Sequence, residues 1–310
     1  MLSRVAERLY WMARYLERAE NTARLINCYN NLIMDIPLGS EPSWTLLVDI
    51  LDAKDDFQKH YAKQNERNVH KFLTGKASVP CSIPFGIEAA RENVRTTRDV
   101  LPEEAWEQIN ELHLFATANA NAYSSRRTRL LFLENVIKHC QAISGLLETT
   151  QSRDHAYRFI KLGRLIERAD MTARTVDVGA GDILDREGIN ASIDPILWGA
   201  LLEAVSGKSA YRRTVGPIVD KEAIVEFLFN AEDFPRSVMF CLTEMRRELG
   251  SLPNRDETIT SVDRIRRKLR RANPSRKSRP ELHKFIDSLQ LGLIQVNNDF
   301  KLHWFHRGEP

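Results

Sequence analysis

Cysteines and long apolar runs are scarce in this sequence, and their scarcity argues against two classes of protein. Only 4 cysteines occur in 310 residues, widely spaced and without a Cys-x-x-Cys pair. This pattern argues against a disulfide scaffold and favours a reduced, cytoplasmic protein. No segment approaches the roughly 18 apolar residues of a membrane span, so we expect no contact with the membrane interior. The first predicted helix carries Arg and Glu from its start, and we therefore expect no secretory signal.

A large net charge is also absent. The chain has 45 basic and 42 acidic residues, which leaves a net charge of +3, so no global field attracts nucleic acid. One basic segment, residues 264–279, stands out, but it lacks the interleaved aromatic residues that stack on bases. Nucleic-acid binding by this segment is our least favoured hypothesis. The simpler interpretation is an exposed helix and loop that docks on an acidic partner.

Glycine and proline are few, 14 and 12 respectively, and runs of alternating polarity are missing. Apolar residues instead recur at spacings of three and four, which predicts an all-α protein. The predicted helices lie near residues 3–35, 43–63, 83–100, 103–123, 128–150, 154–180, 194–206, 219–229, 235–249, 258–272 and 280–303. Breaks are predicted at Pro37-Leu-Gly39, Gly179-Ala-Gly181, Gly216-Pro217 and Asn273-Pro274.

The chain also contains an internal repeat. Residues 6–26 align without gaps on residues 156–176 at an offset of 150, with nine of 21 positions identical. The large apolar positions have drifted, whereas the charged pairs Glu17-Arg18 and Glu167-Arg168 have not. Core positions tolerate exchanges between residues of similar volume. Surface charges normally vary even more freely. The retained charges therefore indicate a shared constraint on this polar face.

Weaker matches extend the repeat beyond its first helix. Trp44 pairs with Trp198 at an offset of 154, Pro80 pairs with Pro235 at 155, and a faint match near residue 109 has an offset of 177. In that last register, the basic segment is an insertion in the second copy. We predict one domain over residues 1–310, a helical bundle of two pseudo-symmetric repeats. Its parts are repeat one at about 1–125, a connecting helix at about 128–150 and repeat two at about 154–303.

The repeated polar face supplies the candidate site. On a helical wheel, Glu17 and several Arg line one side of the first repeated helix, and Glu167 with the matching Arg recreates this stripe in the second copy. Two further Arg follow matching Pro-x-Ser helix starts, from which they could reach the same place. The candidate residues for binding a substrate or partner are Arg14, Glu17, Arg18, Arg24, Arg91, Arg164, Glu167, Arg168, Arg174 and Arg246.

Two interpretations of this face stay open. In the structural one, Glu17 and Glu167 bridge Arg side chains across the interface and set the register of the two copies. In the functional one, the same groups line a cleft, where Arg forks bind carboxylate or phosphate and a Glu acts as general base. The sequence shows no Glu-x-x-His pair, Gly-rich phosphate loop or Gly-x-Ser-x-Gly motif. We therefore expect no metal, no cofactor and no catalytic activity of the chain alone.

The repeated Glu-Arg-Ala block, each copy preceded by an Arg, resembles the motif of the bacterial alpha-E family. The resemblance covers nearly the whole chain and includes Ser152-Arg153-Asp154 and Pro80-x-Ser82-Ile83. It implies an all-helical domain that accompanies circularly permuted ATP-grasp ligases and transglutaminase-like peptidases. The implied setting is ATP-dependent formation or processing of amide bonds in peptides.

The resemblance leads to a functional hypothesis and one alternative. The chain is expected to be an accessory module that binds a carboxylate-bearing peptide or amino acid, or docks the ligase, through its Glu/Arg face. The alternative is an enzyme acting on peptide amide bonds, with Glu17 and Glu167 as the acid–base residues.

Overall fold

The computed structural model describes residues 2–37, 41–75, 77–119, 124–185 and 193–305. These ranges contain fourteen α-helices and no strand, which confirms the predicted all-α class. The helices are α1 (Ser3–Asp35), α2 (Thr45–Ile50), α3 (Lys54–His60), α4 (Glu66–Thr74), α5 (Ile83–Arg95), α6 (Glu103–Ala118), α7 (Arg126–Thr150), α8 (His155–Asp185), α9 (Asp194–Ala204), α10 (Lys208–Thr214), α11 (Lys221–Asn230), α12 (Val238–Leu249), α13 (Asp256–Ala272) and α14 (Arg279–Phe300). Within the described ranges, no helix combines the length and the apolar character needed to cross a bilayer.

The two longest helices, α1 and α8, pack against each other at the centre of the molecule. Gly163 of α8 makes this close approach possible, because a Cβ at that position would lie 2.3 Å from the carbonyl oxygen of Tyr10. Only glycine, which lacks a Cβ, fits against the backbone of α1 there. The contact brings the two copies of the repeated polar face together.

The surrounding helices pack in two comparable sets. Helices α5 and α7 pack on α1 while α12 and α14 pack on α8, and α6 and α13 each lie against the two outer helices of their own set. The buried positions Ile109 and Leu112 of α6 match the buried Val262 and Ile265 of α13 at an offset of 153. This packing favours a register that pairs α6 with α13 and α7 with α14, rather than an insertion and a connecting helix. The two-repeat architecture itself stays a prediction.

Several predicted helix boundaries are wrong. The predicted helix at 43–63 is two short helices, α2 and α3, which are separated where Asp52 adopts a positive φ of 54°. Helices α4 and α10 were not predicted. The predicted break at Gly179-Ala-Gly181 is absent, because α8 runs through it. Gly179 instead permits close packing, since a Cβ there would lie 2.4 Å from the side chain of Leu201.

Two serines begin the helices that flank the central pair. The Ser82 hydroxyl accepts a hydrogen bond from the backbone N–H of Phe85 at 3.2 Å, and Ser237 accepts one from Phe240 at 3.0 Å. Each hydroxyl satisfies one of the free N–H groups at a helix N-terminus. These caps fix where α5 and α12 start beside α1 and α8.

Candidate functional site

The motif carboxylate of α1 is buried against α8. The side chain of Glu17 is only 1% exposed. Arg168 donates to both of its oxygens, from Nε at 2.8 Å and from Nη2 at 2.9 Å. This two-point geometry matches the planar guanidinium to the carboxylate and makes the pair directional as well as charged.

The motif carboxylate of α8 is held in the same way by α1. Arg18 donates to Glu167 from Nε at 2.6 Å and from Nη2 at 3.1 Å. Arg14 adds a third bond, from its Nε to Oε2 at 2.8 Å. The Glu of each motif therefore binds the Arg of the other motif. We call Arg14, Glu17, Arg18, Glu167, Arg168 and Arg236 the Glu/Arg cluster.

The cluster keeps both carboxylates ionised. Burial by itself raises the pKa of Glu17, but Arg168 and Arg236 more than compensate and lower it to about 2. Burial likewise opposes ionisation of Glu167, and Arg14 and Arg18 outweigh it, so that its pKa is also lowered. A carboxylate with a strongly lowered pKa is a weak proton acceptor at neutral pH.

Arg236 is a member of the cluster that the sequence analysis missed. It lies just before α12 and donates to Glu17 at 3.1 Å, to Asn21 at 2.6 Å and to Glu20 at 2.8 Å. Its charge has no counterpart in the first copy, because the residue aligned with it there is Cys81. The one available signal was its place beside Pro235 and Ser237, both of which were matched.

Arg24 and Arg174 lie at the far end of the polar face. Arg24 binds Glu20 at 2.8 Å and Arg174 binds Asp170 at 2.9 Å, as the i,i+4 spacing predicts. Arg24 also donates to the Ser206 hydroxyl at 2.6 Å. Arg174 also pairs with Asp52 at 3.3 Å, so each arginine joins an acid of its own helix to a residue outside that helix.

Arg164 differs from its aligned residue Arg14. It is largely buried in α8, yet it makes no hydrogen bond or ion pair with the part of the chain that the structure describes. Burial and the nearby Arg168 lower its pKa, although Glu17 partly compensates. A guanidinium in this state has donors available for an added anion.

The structure does not bring Arg91 and Arg246 into the cluster. Arg91 donates to Asn110 of α6 at 2.8 Å, and Arg246 donates to Asp263 of α13 at 2.9 Å. Arg91 thus links α5 to α6, and Arg246 links α12 to α13. Their matching positions reflect helix packing rather than a shared ligand.

A separate group of possible metal ligands lies on the surface. Asp177 of α8 and His283 and Asp287 of α14 place one ligand atom each within 4.8 Å of one another. The Nδ1 atom of His283 lies 2.9 Å from Asp177, and this carboxylate raises the pKa of the imidazole. The ion pair accounts for the arrangement, and our expectation of no metal stays untested.

Comparison with known proteins identifies the family of this chain. Its sequence is 24% identical over 299 residues to uncharacterised proteins of Mycobacterium bovis and Mycobacterium tuberculosis. The match covers 87% of this chain but 32% of those proteins, so the chain spans about a third of the length of the relatives it matches. No solved structure matches it. Residues 1–305 match Alpha-E, described as a predicted α-helical domain with a conserved ER motif, and the Glu-Arg pairs at 17–18 and 167–168 fit that description. The chain belongs to the Alpha-E family.

Proposed function

We propose that this protein is an accessory helical module of an ATP-grasp-associated peptide ligation or modification system. In this proposal, it presents a peptide to the ligase, or docks the ligase, through the polar surface around the Glu/Arg cluster. The partner is inferred from the resemblance of the motif to a family that accompanies such ligases. A transglutaminase-like peptidase is a second candidate partner from the same resemblance.

The observation that carries the accessory role is the internal pairing of the motif. Glu17 and Glu167 are each bound by two arginines and have lowered pKa values. They are poorly suited to accept a proton from a substrate, which disfavours the alternative of an enzyme with these residues as acid–base groups. The motif instead holds α1 and α8 in register and leaves binding to the groups around it.

Two further observations support the proposal. The relatives contain the matching region within a chain about three times as long, as expected of a module that works beside another unit. Arg164 has its donors free among the described residues, so it is the motif-block arginine best placed to meet a peptide carboxylate.

The test is reconstitution with a purified circularly permuted ATP-grasp ligase. We expect the protein to form a complex with the ligase and to increase ATP-dependent amide formation on a peptide. Arg164→Gln should reduce this stimulation by about tenfold, which is typical of losing one charge-assisted hydrogen bond. Arg213→Gln, at an exposed position of α10, is the matched control and should retain it. Absence of both complex and stimulation with the native protein would contradict the proposal.

A further inference from the structure

A cavity of about 230 Å³ opens beside the second Glu-Arg motif. It lies between α1, α8, the turn joining α2 to α3, and the segment that leads into α5. We call it the motif cavity. Its walls include Arg18, Asp52, Asp56, Cys81, Asp170 and Arg174.

The repeat alignment shows what occupies the corresponding place in the second copy. Cys81 aligns with Arg236, because the Pro and Ser on either side of each match at an offset of 155. The guanidinium of Arg236 donates to Glu17, Glu20 and Asn21 at 2.6–3.1 Å. In the first copy, the short side chain of Cys81 lies at the wall of an open cavity instead.

The acid at the back of the cavity has fewer partners than its aligned residue. Glu20 accepts hydrogen bonds from both Arg24 and Arg236. Asp170 aligns with Glu20, and within the described residues it is paired only with Arg174. Burial raises the pKa of Asp170, and the charge of Glu167 adds to this effect although Arg174 opposes it. Asp170 therefore lacks the second guanidinium that stabilises the aligned carboxylate.

The rim of the cavity carries additional acid. Asp52 aligns with Ser206, and Asp56 aligns with Ala210, at an offset of 154. The side chain of Asp52 is 80% exposed, and Asp56 pairs with the exposed Lys59 at 2.9 Å. Asp52, which also pairs with Arg174 at 3.3 Å, and Asp56 thus add two carboxylates to the lining of the motif cavity.

We propose that the motif cavity binds a guanidinium from outside the chain, the side chain of an arginine in a peptide, in the place that Arg236 fills in the second copy. Asp170 supplies the main acceptor, and a planar guanidinium can bind it at two points. That the arginine belongs to a peptide rests on the proposed function. The preference of the cavity for a guanidinium does not rest on the proposed function, because this preference follows from Cys81 and Asp170 alone.

The experiment is titration of the full chain with N-acetyl-arginine methylamide, with the heat of binding measured by calorimetry. The citrulline analogue is the control ligand, since it has the same shape but no charge. We expect saturable binding of the arginine compound and binding at least about tenfold weaker for citrulline. No detectable binding of the arginine compound, or equal binding of both compounds, would overturn the inference.

Three variants locate the binding. Cys81→Arg should abolish it by placing an internal guanidinium in the cavity, whereas Cys81→Ser should keep it. Asp170→Asn should weaken it by about tenfold or more and carries the test if Cys81→Arg does not fold. Unchanged affinity in a folded Cys81→Arg or Asp170→Asn variant would refute the assigned location.

The outcomes also separate this inference from the proposed function. Arginine binding that obeys the variants, with no effect of the protein on the ligase, would support the cavity assignment and contradict the accessory role. Stimulation of the ligase that is unchanged by Cys81→Arg, with no arginine binding to the native chain, would do the reverse.

Discussion

At the scale of single residues, the Glu-Arg motif is reciprocal. Glu17 is bound by Arg168, and Glu167 is bound by Arg18, so each motif completes the other. A buried ion pair of this kind adds less to net stability than its geometry suggests, because both charges lose their hydration. Removing one member is costly for the same reason, since the remaining charge stays buried without a partner.

This leads to a prediction for Glu17→Gln. The variant removes the carboxylate that pairs with Arg168 and one of the two carboxylates that pair with Arg236, so the free energy of unfolding should fall by about 3–5 kcal/mol at neutral pH. Chemical denaturation, monitored by circular dichroism, measures this change in the free energy of unfolding. Glu92→Gln, which alters a surface ion pair, is the control and should show no comparable loss.

The difference in the free energy of unfolding between Glu17→Gln and the native protein should depend on pH with a defined sign. The pKa of Glu17 is lowered from 4.5 to about 2 in the folded protein. Its contribution is therefore fully present above about pH 4.5 and is lost as the pH falls toward 2. The gap between the two proteins should shrink over this window, and a gap that stays constant would contradict an ionised Glu17 as its source.

At the scale of helices, the close contact between α1 and α8 decides whether the cluster can form. The arginine forks reach across only because Gly163 lets the two backbones approach. Gly163 aligns with Ala13 of the first copy, and its missing Cβ leaves room for a close neighbour. The neighbour is the backbone of α1 at Tyr10 rather than a ligand.

We predict that Gly163→Ala destabilises the protein, although alanine favours helix. The added Cβ would lie 2.3 Å from a backbone oxygen, which cannot rotate away. Overpacking of this kind costs about 1–3 kcal/mol. Gly145→Ala in α7 is a matched control, because nothing lies within 4 Å of the added Cβ, and it should stabilise the protein by up to about 1 kcal/mol. Thermal melts of both variants test the contrast, and equal effects would contradict it.

At the scale of the whole molecule, charge is distributed unevenly although the total is small. Residues 264–272 of the basic segment belong to α13, which buries Val262, Ile265 and Leu269 against the bundle. Besides Arg270, which pairs with Glu232, the opposite face of α13 exposes four cations, Arg264, Arg267, Lys268 and Arg271. This first part of the segment is thus the end of an integral helix of the bundle, and its outer surface is basic.

We predict that this surface does not bind nucleic acid tightly. Arg266 and Arg270 of the same helix are already paired with Asp263 and Glu232, and the net charge is only +3. At physiological salt, binding to a duplex should be no tighter than the non-specific range of about 10⁻⁴–10⁻⁶ M. Fluorescence anisotropy with labelled DNA and RNA measures this. Tight, salt-sensitive binding that disappears when the four exposed cations are changed to Ser would contradict the prediction.

Much of the fold could be predicted from the sequence, whereas the site could be predicted only in part. The i,i+4 pair of Arg24 and Glu20 is a local feature, so its spacing was sufficient. Arg236 lies more than 200 positions from Glu17, and no local pattern connects them. Arg91 and Arg246 show the opposite failure, since their matching positions suggested a common site but each serves its own set of helices.

The sequence by itself determined the helical class, the family and the two Glu-Arg motifs, because periodicity and repetition are written in neighbouring positions of the chain. Only the tertiary structure decided that each motif neutralises the other, since ion pairing depends on which helices meet and at what distance. It also decided that the aligned residues Cys81 and Arg236 have different surroundings. One place is filled by a guanidinium of the chain, and the other is an open cavity with an acid at its back.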